Sequence, residues 1–305
     1  MQKQQFIWLD GKMVKFEDAK VHVLTHSLQY GSGMFEGIRC YKTAAGPAIF
    51  RLGDHIRRFL NSAKIYRMPA KFSAEELRDG IISTIKKNGL EEAYIRPFMF
   101  YKDIGIGFNT KGKSTSVAIA AIPFGNLFGH AGVSKGIRCK VSSWLRINSS
   151  TLPVGAKASG NYLNSIIASI EANDSGYDEA ILMSSFGKVA EGPGENIFIV
   201  QDGILITPPK QSDILVGITR DTIIKIAGDM GLEVAEREIR REELYVSDEA
   251  FFCGTAAEIT PIISVDSRAV GNGKPGQIAK ALGERYSKIV RGEDKKYRGW
   301  LSPVD

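Results

Sequence analysis

Along the first half of the chain, apolar residues recur in two rhythms. In HIRRFLNSAKIY, Ile56, Phe59, Leu60 and Ala63 fall at i, i+3, i+4 and i+7, the spacing of one helix face. SAEELRDGIISTIKKNG repeats it with Leu77, Ile81 and Ile85, opening on a Ser73/Glu76 capping box and closing on Gly89. FIWLDGKMVKF, EAYIRPFMFY and SVAIAAIPF read as strands, and Asp10-Gly11 between apolar runs predicts a two-residue hairpin. Periodicity fades in PFGNLFGHAGVSKG, which predicts an interdomain loop over 124–135, between a smaller α/β domain (1–123) and a larger one (136–305). Beyond it GIRCKVSSW, EAILMSS, GKVAEG, NIFIVQDG and ILITP predict strands, with a second hairpin at Asp202-Gly203. Helices are expected over 162–173, 219–230 and 276–289.

Composition narrows the class. A chain of 305 residues with 43% hydrophobic content can bury a full core. No apolar run approaches the ~20 residues that span a bilayer, and MQKQQFIWLDG lacks the pattern of a secretory signal, so a cytoplasmic location and no membrane partner are expected. Cys40, Cys139 and Cys253 are scattered and form no C-x-x-C pair, so neither a disulfide framework nor a metal site is expected. The net charge of +6 is spread among acids, as in AEREIRREELY; that argues against nucleic acid and for a mixed surface mildly attractive to anionic substrates.

Four short clusters carry candidate chemistry. In GAKASGNYLNS, Lys157 stands among small residues, just before a helix whose Leu163, Ile166, Ile167 and Ile170 form an apolar stripe expected to anchor it. A nucleophilic lysine must lose its proton near neutral pH, which burial favours, and small neighbours leave room for a planar ring. A solvated loop lysine fits the same text. In VAEGPGENIF, Glu191 ends a strand at a glycine turn, where a buried carboxylate can hold a heteroaromatic nitrogen protonated; a turn glutamate in water is the alternative. Gly217, Ile218 and Thr219 open an amphipathic helix, either as an ordinary cap or as an anion site of backbone N–H groups. Thr255, Ala256 and Ala257 form a small-residue turn after EAFFC, a second possible donor set or simply a tight turn.

Together with FEGIRCY, SAKIYR, AYIRP and GTAAEITP, these clusters resemble the branched-chain amino acid aminotransferase family, two-domain α/β enzymes of the fold-type IV pyridoxal phosphate class, from about residue 6 to about residue 301. The resemblance implies a smaller N-terminal domain, a larger β-rich C-terminal domain carrying the lysine, and pyridoxal 5'-phosphate as cofactor. It implies ping-pong transamination between branched-chain L-amino acids and 2-oxoglutarate. Lys157 would carry the cofactor and move the proton, Glu191 would pair with the pyridine nitrogen, and Tyr162 with the ring hydroxyl. Arg58, Gly217, Ile218, Thr219 and Thr255 would hold the phosphate. Tyr30, Phe35, Gly37, Tyr94, Arg96, Ala256 and Ala257 would form the substrate site, Arg96 taking the distal carboxylate of glutamate.

Two points of tension accompany the resemblance. On the wheel set by Ile56, Phe59, Leu60 and Ala63, Arg58 lies opposite the apolar stripe, so periodicity predicts a solvent-facing arginine whereas the family predicts one facing a phosphate. In PFGNLFG, Leu127, followed by Phe128, stands where some family members have a pocket tyrosine, which makes that edge more apolar. In the strand EAYIRPFMF, Tyr94, Arg96 and Phe98 share a side. The motifs FEGIR, Y-x-R-P and GTAAEITP favour this family over D-amino acid and (R)-amine transaminases of the same fold. The family also implies a homo-oligomer, with Tyr30 completing a neighbouring subunit's site.

Overall fold

The computed structural model describes residues 5–125 and 127–304; Asn126 of the interdomain segment lies outside them. The chain divides into two compact units. The first comprises the described residues up to Phe124, with Ala156–Gly160 and those from Lys288 onward.

This unit begins with β1 (Phe6–Leu9) and β2 (Lys12–Lys15), followed by the short α1 (His26–Tyr30), β3 (Gly33–Phe35), β4 (Ile38–Thr43) and β5 (Gly46–Phe50). Two helices, α2 (Leu52–Ile65) and α3 (Ala74–Asn88), precede β6 (Ala93–Tyr101) and β7 (Thr115–Ile122). Asp10 and Gly11 have φ of 48° and 92°, the left-handed pair that a two-residue hairpin requires. The Ser73/Glu76 capping box forms in both directions. The sheet runs in the order β17-β5-β4-β6-β7-β1-β2, with β3 also on β6 and β17 (Leu301–Pro303) closing one edge. α3 packs on β1, β6 and β7 and α2 packs on β3, around a core that includes Trp8, Phe59, Ile81 and Ile95. Cutting Phe59 to alanine would cost about 3–5 kcal/mol.

The buried side of α2 is wider than its apolar stripe, since His55 and Ser62 are buried with Ile56, Phe59 and Ala63 while Leu60 is half-buried. Arg58 borders that side and is 16% exposed, so the expectation of a solvated arginine fails. A periodicity count of apolar residues misses a helix face that buries polar groups paired with a carboxylate and with backbone groups.

The second unit spans Gly125–Gly155 and Asn161–Ser287. It opens with α4 (Gly129–Lys135), a short helix inside the stretch read from sequence as loop, then β8 (Ile137–Leu145), α5 (Tyr162–Asp174), β9 (Glu179–Met183) and β10 (Val189–Glu191). β11 (Asn196–Gln201) and β12 (Ile204–Thr207) form the hairpin predicted at Asp202-Gly203, with φ of 53° and 77°. They are followed by α6 (Ile218–Asp229), β13 (Val234–Glu236), α7 (Glu243–Val246), β14 (Glu249–Gly254), β15 (Glu258–Val265), β16 (Arg268–Ala269) and α8 (Gln277–Val290). The sheet order is β10-β9-β8-β15-β14-β11-β12-β13, with β16 on β15.

α5 corrects one expectation. Leu163, Ile166, Ile167 and Ile170 do not anchor it: they are exposed, Leu163 by 66%. The face turned to β8 and β9 consists of Ser165, Ala168 and Ala172, small residues that let the helix approach the sheet closely. No helix of the described residues is long and apolar enough to cross a membrane.

Candidate active site

In the first unit the segment around Lys157 is fixed through its backbone. Ala156 and Ala158 are 2% and 3% exposed and belong to the core, and Ala158 bridges to Met34. The Lys157 N–H donates to Ser62 Oγ at 3.0 Å, and its carbonyl accepts from the Phe35 N–H at 3.0 Å. Gly160 N–H donates to Gly31 O, where a Cβ on Gly31 would stand 3.1 Å from Gly160 Cα. The small neighbours of Lys157 thus serve core packing and close backbone approach. The lysine side chain is half-buried, with Nζ 4.9 Å from the centre of the Phe35 ring.

The face of β6 away from the core completes this cluster. Ile95, Pro97 and Met99 point inward, while Tyr94, Arg96 and Phe98 lie on the other side, as the strand period requires. Arg96 Cζ lies 4.6 Å from the Phe35 ring centre and its Nη2 donates to the Tyr94 hydroxyl at 3.0 Å. A Cβ at Gly37 would collide with that hydroxyl, so a side chain there would displace the Tyr94 ring from its place beside Arg96. Tyr30 stands with a different loop: its ring packs on His26 and Phe108, and its hydroxyl accepts from Gly107 N–H at 3.2 Å.

Arg58 joins through Glu36, the residue between Phe35 and Gly37. Glu36 is fully buried, and its carboxylate accepts from Arg58 Nε at 2.6 Å, Arg58 Nη2 at 2.9 Å and His55 Nδ1 at 2.7 Å. Burial by itself would raise this carboxyl, but the charge of Arg58, with His55 and their hydrogen bonds, overrides it and holds Glu36 far below the usual carboxylate range. Burial pushes His55 below its ordinary 6.5 despite Glu36, which leaves a neutral ring whose Nδ1–H donates.

In the second unit Glu191, at the end of β10, is 5% exposed. Its carboxylate accepts from Arg146 Nε at 2.8 Å, Asn196 Nδ2 at 3.1 Å and Leu215 N–H at 3.1 Å. Asn196 is also the residue a Cβ at Gly217 would strike, which ties this carboxylate to the start of α6. Gly217 N-caps α6 without any side-chain cap, leaving the backbone N–H groups at Ile218 and Thr219, both buried, as the donors of that helix end. Tyr162 begins α5 and is half-buried; two residues on, Asn164 Oδ1 accepts from Ile147 N–H. The Thr255–Ala257 turn links β14 to β15 and is held by Thr260 Oγ1 donating to Ala257 O and Leu127 N–H donating to Ala256 O.

Each unit therefore gathers its share of the predicted residues: Lys157, Phe35, Gly37, Tyr94, Arg96 and Arg58 in one, Glu191, Tyr162, the α6 start and the 255–257 turn in the other. Sequence reasoning passed over Glu36, His55, Ser62, Arg146 and Asn196. The available signals were the carboxylate inside FEG, the i, i+3, i+7 spacing of His55, Arg58 and Ser62, and the amide directly after Glu195. Taken by type, an amine and an arginine in the first unit and a buried carboxylate and an uncapped helix start in the second are groups that suit, respectively, a carbonyl and an anion, and a heteroaromatic nitrogen and an anion.

Comparison with known proteins gives the same direction. The family described as amino-transferase class IV matches residues 33–265. The chain is 48% identical to the branched-chain-amino-acid aminotransferase of Salmonella typhimurium over 304 residues, 99% of this chain and 98% of that one. The crystal structure of the Escherichia coli branched-chain amino acid aminotransferase superimposes with a TM-score of 0.97 at 48% identity, covering 99% and 100% of the two chains. The branched-chain amino acid aminotransferase of Thermobaculum terrenum, solved in its PLP-bound holo-form, superimposes at 0.94 with 39% identity, covering 100% of both chains.

Proposed function

Because the chain belongs to the branched-chain amino acid aminotransferases of amino-transferase class IV, which use pyridoxal phosphate, we propose that it moves the amino group of leucine, isoleucine and valine to 2-oxoglutarate by a ping-pong mechanism. When bound, pyridoxal phosphate supplies the electron sink that lets an amino acid lose its Cα proton. Lys157 would hold the cofactor through its amine and would serve as the base and acid that moves the substrate's Cα proton. Its pinned backbone fixes the point from which that side chain reaches, which limits the positions the amine must search. Glu191 would hold the pyridine nitrogen protonated, and Tyr162 would meet the ring hydroxyl oxygen. Arg58, Thr255 and the Gly217-Ile218-Thr219 helix start are the groups that would hold the phosphate. The turn at Ala256 and Ala257 receives the substrate carboxylate.

The observation that carries the substrate reading is the arrangement of Phe35, Arg96 and Tyr94. A guanidinium lying on an aromatic face gives one pocket both an apolar wall for a branched side chain and a cation for the distal carboxylate of glutamate. Arg96→Met is expected to raise KM for glutamate about 10–100-fold, the loss of a charged hydrogen bond, with leucine little changed. The reading is tested by mixing the yellow holoenzyme with single amino acids and following conversion to the pyridoxamine form. L-Leucine should convert it; conversion by D-alanine but not L-leucine would place the chain with the D-amino acid transaminases.

The protein is read as a cytoplasmic homo-oligomer. Leu28, Ile104, Ile106 and Phe108 are exposed apolar residues in and near the loop that meets Tyr30, and Leu163, Ile166 and Ile170 are exposed along α5, side chains that a neighbouring subunit would cover. Tyr30 is the residue expected to serve a neighbouring subunit's site.

A further inference from the structure

We infer that Glu36 and His55 are positioning residues that hold the Arg58 guanidinium in the orientation in which it meets the cofactor phosphate. The inference rests on the reading of Arg58 as a phosphate ligand and deepens it. Glu36 is the fixed member of the group: it is wholly buried, its backbone N–H is bonded to Pro97 O, and it sits between β3 and β4, so its carboxylate has little freedom. Arg58 meets both carboxylate oxygens through Nε and Nη2, a fork that sets the plane and direction of the guanidinium before any anion arrives. His55, one helical turn before Arg58 on α2, donates to Oε2 and blocks rotation of the carboxylate about its last bond. Gly37 N–H, at 3.3 Å from the same oxygen, closes the remaining side.

The arrangement carries an electrostatic penalty. Pairing Arg58 with a carboxylate brings the pair to zero net charge and weakens its attraction for a phosphate dianion. If charge alone mattered, removing the Glu36 charge would tighten phosphate binding. A positioning role predicts the opposite sign, because an arginine released from its fork must lose side-chain freedom on meeting the anion.

The test uses the full-length apoprotein and two probes, pyridoxal phosphate and pyridoxal, which lacks the phosphate. Dissociation constants are measured by fluorescence for the native protein, Glu36→Gln, Arg58→Met and the electrically neutral pair of both, with thermal melting to confirm folding. Glu36→Gln is expected to weaken pyridoxal phosphate about tenfold while leaving pyridoxal unchanged, and to have no further effect in the Arg58→Met background. Unchanged or tighter pyridoxal phosphate binding by Glu36→Gln, or equal weakening of both probes, overturns the inference. A smaller phosphate preference in Arg58→Met but not in Glu36→Gln overturns the inference alone; a preference undiminished in Arg58→Met overturns the phosphate reading with it. Should Glu36→Gln fail to melt cooperatively, His55→Asn, which leaves the charge pair in place, carries the same comparison with the same outcomes.

Discussion

Glu36 and Glu191 are both buried carboxylates gripped by the Nε of an arginine, at 2.6 and 2.8 Å, yet the two pairs are built in opposite senses. In the first unit the carboxylate is fully enclosed and the arginine is the more exposed partner, 16% against zero. In the second, Arg146 and Glu191 are almost equally buried, and the carboxylate gathers an amide and a backbone N–H besides the guanidinium. The first is an anchored acid presenting a base; the second is an anchored base and amide presenting an acid. Burying an ion pair rarely adds stability over apolar packing, whereas removing one partner typically costs about 3–5 kcal/mol. Such pairs therefore make sense where one member has work to do and the other must keep it aimed and charged.

The contrast can be broken from either side. The largest effect is expected from Glu191→Gln, which keeps the shape but gives up the negative charge proposed to face the pyridine nitrogen: kcat should fall about 10²–10³-fold with pyridoxal phosphate still bound. Arg146→Met is expected to lose stability by about 3–5 kcal/mol, seen in urea unfolding, because it strands Glu191 without its cation. Arg146→Lys should recover part of that loss; no recovery would mean the guanidinium shape matters more than its charge.

A smaller effect should separate the lysine's support from its chemistry. Ser62 Oγ both donates to Arg58 O and accepts from Lys157 N–H, so one hydroxyl links the arginine proposed to meet the phosphate to the lysine proposed to carry the cofactor. Ser62→Ala is expected to lower kcat about 3–10-fold, the worth of one hydrogen bond, with KM for leucine nearly constant. An unchanged kcat would show that the Phe35 N–H bond to Lys157 O suffices by itself.

The smallest effect is in pH. Folded Glu36 and folded His55 both titrate below their ordinary values of 4.5 and 6.5, so the unfolded chain binds more protons and stability must fall with falling pH. The loss begins as pH drops below 6.5, from His55, and deepens through 4.5, from Glu36. In the apoprotein the upper part of this decline should flatten in His55→Asn, a difference of about 2–4 °C in Tm between about pH 7 and 5. A variant with the native slope over that range would remove His55 from the account.

Much of the fold was legible because it rests on short-range rules. The two Asp-Gly hairpins needed only two adjacent residues that tolerate positive φ, and the α3 start needed only Ser73 and Glu76. α5 and α2 show the limit of such rules. The isoleucine stripe of α5 has perfect helical spacing, yet it is the alanine and serine face that meets the sheet, since spacing says which residues share a face and not which face is covered.

The motifs likewise nominated Lys157, Glu191, Thr219 and Arg96, because each proposed role demands a particular side chain at a fixed distance along the chain from a turn or helix start. What they could not supply is who holds those residues. Glu36 and Arg58 are 22 positions apart, Arg146 and Glu191 are 45 apart, and Ser62 and Lys157 are 95 apart. Sequence determined which groups are present and which local elements carry them. Only tertiary packing decided which buried carboxylate would serve an arginine and which an arginine would serve, because that depends on where long-range folding removes water and leaves each charge a single partner.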